Sequence, residues 1–160
     1  MNGLDRLVSM HARGVPECWD HPTAWASALA TFPLFLEVSK HQLRKLARHG
    51  TSAEFTPGET IVVAGDRSTC LYVILGGDVR AVTTRESRTL GRGDYFGEMA
   101  LIDGGSRSAT IVAMTYVYVI KLPAASVLRL TRRHPAITLR MLRDLTTRLR
   151  HLETQPARAA

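Results

Sequence analysis

Residues Phe96 to Thr110 read FGEMALIDGGSRSAT. A short helical turn, GEMAL, interrupts strand-like sequence, and small residues with a Gly104-Gly105 pair separate Glu98 from Arg107. Gly97 permits a close backbone approach and a turn that a side chain would obstruct. The start of such a turn leaves backbone N–H groups free and carries the positive end of a small dipole, a setting for an anion. Just beyond it, the planar guanidinium of Arg107 can grip two phosphate oxygens at once, and Ser108 adds a hydroxyl donor. Glu98 cannot hold a phosphate, but a carboxylate accepts well from sugar hydroxyls. An acceptor and a cation on either side of an anion-binding turn suit a sugar phosphate. The competing reading is a salt bridge between Glu98 and Arg107 themselves.

The sequence around this stretch is rich in short β-branched runs: ETIVVAG, CLYVILGG, DVRAVTT, ATIVAMT and YVYVIKL. Turn chemistry divides them at Pro57-Gly58, Gly65-Asp66, Gly76-Gly77, the Gly91–Asp94 segment and Gly104-Gly105. Many short strands at close spacing predict an all-β sandwich or barrel over residues 51–122. Ahead of it, TAWASALATFPLF and SKHQLRKLARHG read as short helices over 23–50, with Ser39 as N-cap and Gly50 as stop. Residues 1–22 lack periodicity and read as a loose arm. After Pro123 the period changes to that of a helix. PAASVLRLTRRH stops at His134-Pro135, and a longer helix follows with Leu142, Leu145, Leu149 and Leu152 on a stripe, so helices span 123–153. A single domain over 23–160 is expected, since the chain of 160 residues fits one core.

Charge is concentrated at one end. From Lys121 onward nine Lys/Arg face only Asp144 and Glu153, which accounts for the whole net charge of +7. An Arg-rich helix face of this kind is ordinarily solvated, though it can also meet nucleic acid or acidic lipid. No apolar run is long enough for a membrane span, and the first residues mix charge into any apolar stretch, unlike a secretory signal. Cys18 and Cys70 lack metal-type spacing and fit a reducing cytoplasm. The histidines (His11, His21, His41, His49, His134, His151) all fall outside the predicted strands, with no H-x-H pair. With no P-loop or nucleophile–base set either, no catalytic residue, metal or cofactor is expected, and the chain reads as a non-enzyme.

FGEMAL followed by RSAT resembles the phosphate-binding cassette of the cyclic nucleotide-binding domain family, which includes the bacterial catabolite activator protein and protein kinase A regulatory subunits. FPLF…VSKHQLRKLA, FTPGETIVVAGD, LYVILGGDV and LGRGDYFGE are similar to further family landmarks in order, so the resemblance covers roughly Phe32 to Leu152. It implies an eight-stranded antiparallel jelly-roll barrel flanked by helices. It also implies that Glu98, with the backbone of Gly97, accepts the ribose 2′-hydroxyl of cAMP or cGMP. Arg107 would pair with the cyclic phosphate, aided by the Met99–Ala100 turn and by Ser108. The base would lie over Ala81 and Leu90 under a cap from Leu152. Ser108, where cGMP-preferring members often carry Thr, favours cAMP. The implied function is a stand-alone sensor that signals through its C-terminal helix to a protein partner of unknown identity, the leucine stripe also being open to pairing with a second copy. A ligand-free module of the same fold and a shortened transcription regulator are the alternatives. Only TQPARAA follows Glu153, without the winged helix-turn-helix of the activators, so specific DNA binding is not expected.

Overall fold

The structure, a computed structural model, describes residues 21–154. Most of the expected N-terminal arm lies outside these residues. At its end Pro22 already opens helix α1 (Pro22–Leu29), whose N-cap His21 accepts from the Thr23 amide. A 3₁₀ turn, Pro33–Phe35, leads to α2 (Lys40–Ala47). Ser39 caps α2 as expected. Its hydroxyl accepts from the Gln42 amide at 3.3 Å while Gln42 reaches back to the Ser39 amide, a capping box whose loss costs about 1 kcal/mol.

Eight strands follow: β1 (Thr51–Phe55), β2 (Thr60–Val62), β3 (Cys70–Gly76), β4 (Val79–Val82), β5 (Ser87–Leu90), β6 (Tyr95–Phe96), β7 (Thr110–Ala113) and β8 (Val117–Pro123). Between β6 and β7 lies the short helix α3 (Glu98–Asp103). The strands form two four-stranded antiparallel sheets, ordered β1-β8-β3-β6 and β2-β7-β4-β5, the jelly-roll arrangement. Helices α4 (Ala124–Arg133) and α5 (Pro135–Thr154) complete the described chain.

Burial explains why some strands were conspicuous. In β3, Leu71, Val73 and Leu75 pack with the helices, whereas Tyr72 and Ile74 pack with residues of the other sheet. In β8 the division is Tyr118, Ile120 and Leu122 against Val117 and Val119. Both faces are buried, so both strands read as continuous apolar runs. β4 alternates buried and exposed residues because one of its faces meets water. Tyr95 and Phe96 part company for the same geometric reason. Phe96 packs in the barrel, whereas Tyr95 joins the helical core and donates to Asp144 of α5 at 2.6 Å.

The C-terminal helices break at His134, since the residue before Pro135 is driven out of helical geometry. On α5, Ile137 and Met141 are buried, but the leucines do not form one buried seam. Leu142 is exposed, while Leu145, Leu149 and Leu152 border a cavity in front of α3.

Candidate functional site

That cavity has a volume of about 330 Å³ and is walled by α3, the loop before β7, strands β4 and β5, and the second half of α5. Gly97, Glu98, Met99, Ala100, Arg107 and Ser108 all line it, together with Ala81 and Leu152. Leu90 does not. The β4–β5 register pairs Val79 with Leu90 and Ala81 with Arg88. Cross-strand partners share a face, so Arg88 is the residue beside Ala81 at the cavity, and Leu90 sits one pleat deeper in the barrel core.

The salt bridge between Glu98 and Arg107 is not formed. Glu98, only 2% exposed, pairs through Oε1 with Arg148 of α5. Arg107, 4% exposed, donates from Nη2 to Ser68 Oγ at 2.7 Å and to the Cys70 carbonyl at 2.8 Å. Its guanidinium carbon also stands 5.3 Å from the centroid of the Tyr72 ring, which stacks on Phe96 with centroids 4.8 Å apart. The backbone of Arg107 is held on both sides by the β2–β3 loop, its amide by Asp66 O and its carbonyl by the Gly65 amide, each at 2.8 Å. Cation and loop are therefore held by the protein's own groups.

Two donors of that cation stay unsatisfied. Nε and Nη1 of Arg107 are buried and have no hydrogen-bond partner. Orphaned buried donors are costly, about 1–3 kcal/mol each and more on a charged group, so sites that keep them require a reason. A dianionic or monoanionic oxygen pair in the cavity supplies one. Gly97 makes the approach feasible: it is the N-cap of α3 with φ +92°, and a Cβ there would fall 2.0 Å from Arg107 Nη1. Only glycine tolerates both the left-handed backbone and that contact.

Electrostatics across the cavity are shared among several groups. Burial, and then the adjacent Arg148, holds the Arg88 guanidinium below the ordinary arginine value, partly offset by Glu98 and other carboxylates. Burial raises the Tyr72 hydroxyl, against the opposing effect of Arg107. Burial likewise raises Tyr95, reinforced by Asp144, so its phenol keeps the proton with which it tethers α5. Sequence reasoning did not single out Ser68, Tyr72, Arg88 or Arg148. For Arg148 a signal existed, since it lies three residues after Leu145 and four before Leu152, on the same helical face. Nothing local to Ser68 or Tyr72 reveals that they sit under a cation provided by residue 107. Among the described residues no group of three or more His, Cys, Asp or Glu is placed to hold a metal, and no helix is long and apolar enough to cross a membrane.

The family model for the cyclic nucleotide-binding domain matches residues 52–134, more than half of the chain. The chain belongs to that family. It is 34% identical over 97 residues to the cAMP-dependent protein kinase regulatory subunit of Aspergillus niger, a match spanning 59% of this chain and 24% of that protein. It is 31% identical over 129 residues to the Cyclic AMP receptor protein of Thermus thermophilus, covering 77% of this chain and 60% of the other. Among solved structures, "Sp-2Cl-cAMPS bound to PKAR CBD2" superposes with a TM-score of 0.72 at 24% identity over 84% of this chain and 93% of that one, a likeness of fold. The chain therefore spans a quarter to three fifths of these curated relatives' own length. The family is named for cyclic nucleotide binding, and its fold is regulatory rather than catalytic.

Proposed function

We propose that this protein is a cAMP sensor in which α5 reports occupancy of the cavity to a protein partner. The observation that carries the proposal is the pair of buried, unpartnered donors on Arg107, a residue that lines the cavity together with the acidic acceptor Glu98. A cyclic phosphate would take Nε and Nη1 in the bidentate manner that suits a guanidinium. Glu98 has one carboxylate oxygen on Arg148 and a second to accept the ribose 2′-hydroxyl. The cyclic ring fuses phosphate and ribose at a fixed spacing, so little freedom is lost on binding. Val62, Ile111 and Leu152 offer apolar surface to a purine. Ser108 and relatives named for cAMP dependence support adenine. The free Cys70 fits a reducing compartment such as the cytoplasm.

One observation favours cGMP as a second reading. Arg85 and Arg88 line the same cavity, and guanidinium donors match the O6 and N7 acceptors of guanine better than the amino edge of adenine. Signalling follows from the walls of the site. Leu145, Arg148, Leu149 and Leu152 all belong to α5, so a ligand contacts the helix directly and can bias its position by the difference in affinity between two arrangements.

Thermal unfolding with cAMP, cGMP and 5′-AMP tests the reading. A ligand at a hundredfold excess over its Kd stabilises by about 2.7 kcal/mol, a shift of roughly 5–10 °C for a chain of this size. cAMP should give that shift at the lowest concentration and 5′-AMP at the highest. No shift with either cyclic nucleotide refutes the sensor, and a lower concentration requirement for cGMP selects the second reading.

A further inference from the structure

A second cavity, of about 430 Å³, lies between α2 and α4 and shares no residue with the nucleotide cavity. Lys45 and His49 stand on its α2 bank, and Arg129, Arg132 and Arg133 on its α4 bank, all of them exposed. His49 lies just past the end of α2, and the spacings of three and four on α4 place Arg129, Arg132 and Arg133 on one helical face. No carboxylate lines the groove, and no ion pair among the described residues engages any of these side chains. Among the described residues their side chains make one hydrogen bond, from Arg129 Nη2 to Ser126 Oγ at 3.2 Å. Like charges at such spacings disfavour α4, so the clustering of its arginines works against stability. Between the banks the floor is formed by Leu46 and Leu130, both nearly buried.

We propose that this groove docks an acidic peptide segment of a partner protein. Elements that read duplex DNA are convex and enter its major groove, whereas this site is concave. Membrane-surface helices turn an apolar face outward, but the apolar side of α4, with Val127 and Leu130, is turned into the core. A small anion would have no use for the leucine floor. A peptide uses both features, setting carboxylates against the two banks and an apolar side chain on the floor, and such charge complementarity speeds encounter and fixes register.

The test uses fluorescence anisotropy of a fluorescein-labelled peptide of Glu-Glu-Leu repeats with the full chain at physiological salt. The double variant Arg129→Glu/Arg132→Glu should weaken binding at least about tenfold, because attraction is replaced by like-charge repulsion. The control Arg140→Glu/Arg143→Glu changes net charge equally at exposed α5 positions, and should leave affinity within about threefold because neither residue lines the groove. Equal losses in the two variants would mean a net-charge effect and overturn the proposal. So would tighter binding of random-sequence duplex DNA, or of mixed phosphatidylserine–phosphatidylcholine vesicles, than of the peptide. Independently of any variant, amide NMR shifts on adding the peptide to the unaltered protein should cluster in residues 42–49 and 126–133. Shifts confined elsewhere would refute the groove.

Discussion

Replacing Arg107 by alanine separates binding from folding. In the unliganded protein this side chain forms two good hydrogen bonds, to Ser68 Oγ and the Cys70 carbonyl, yet leaves Nε and Nη1 buried without partners. Bonds to a charged group contribute about 1.5–3 kcal/mol each, while each orphaned donor costs about 1–3 kcal/mol. The two effects oppose each other, about 3–6 kcal/mol against about 2–6, so Arg107→Ala should leave the protein folded with a net change of about 4 kcal/mol at most. Ligand binding has no such compensation. Loss of a buried charge-assisted phosphate contact costs about 2–5 kcal/mol, roughly 30-fold to several thousand-fold in Kd. Arg107→Lys retains the charge but not the planar fork, and should fall between the two. Urea denaturation measures the first quantity and calorimetric titration with cAMP the second. Unchanged cAMP affinity in Arg107→Ala would refute the assignment of the phosphate site. A large loss of stability with affinity intact would show that the residue is a structural clamp.

Other substitutions address the remaining walls. Gly97→Ala should lower stability by about 1–2 kcal/mol and abolish cAMP binding, because it strains the φ +92° backbone and pushes a methyl into Arg107 Nη1; wild-type affinity would contradict that contact. Glu98→Gln should weaken cAMP about tenfold in calorimetry while leaving the fold intact, as the amide still offers an oxygen to the ribose. Tyr95→Phe should cost about 1 kcal/mol through loss of the hydrogen bond to Asp144. Its pH dependence has a definite sign. The folded-state pKa lies above the unfolded value of about 10, so the contribution of Tyr95 is complete below about pH 10 and is lost as pH rises through the folded value. Alkaline denaturation curves of the wild type and Tyr95→Phe should therefore converge at high pH, and parallel curves would contradict the tether. Hydrogen exchange along residues 136–152 should slow on adding saturating cAMP; identical exchange would exclude α5 as the reporting element.

How much of this was legible in the sequence varied with whether the cause was local. Strands buried on both faces, β3 and β8, announced themselves as apolar runs, and Ser39 with Gln42 marked the start of α2 by chemistry within one turn. Strands β1, β5 and β6 gave weaker signals, since TSAEF and SRTL carry polar residues on a solvent face and β6 is only two residues long. In the site, the cassette residues were readable because they lie within one loop and turn. The base wall was not, because it depends on register. A choice between Leu90 and Arg88 beside Ala81 is decided by how β4 pairs with β5, which no residue of either strand states alone. The same holds for Glu98 and Arg148, fifty residues apart and joined only when α5 folds back over α3.

The Nε–H signal of Arg107 offers the most direct measurement. In a nitrogen-15 labelled protein it can be assigned by its disappearance in Arg107→Lys and followed as cAMP is added. The donor is buried without a hydrogen-bond partner, so the expected result is a shift of this resonance that saturates at one nucleotide per chain, as the phosphate becomes its acceptor. An Arg107 Nε–H signal that stays fixed while cAMP binds would contradict the central claim that these buried donors are kept for the cyclic phosphate.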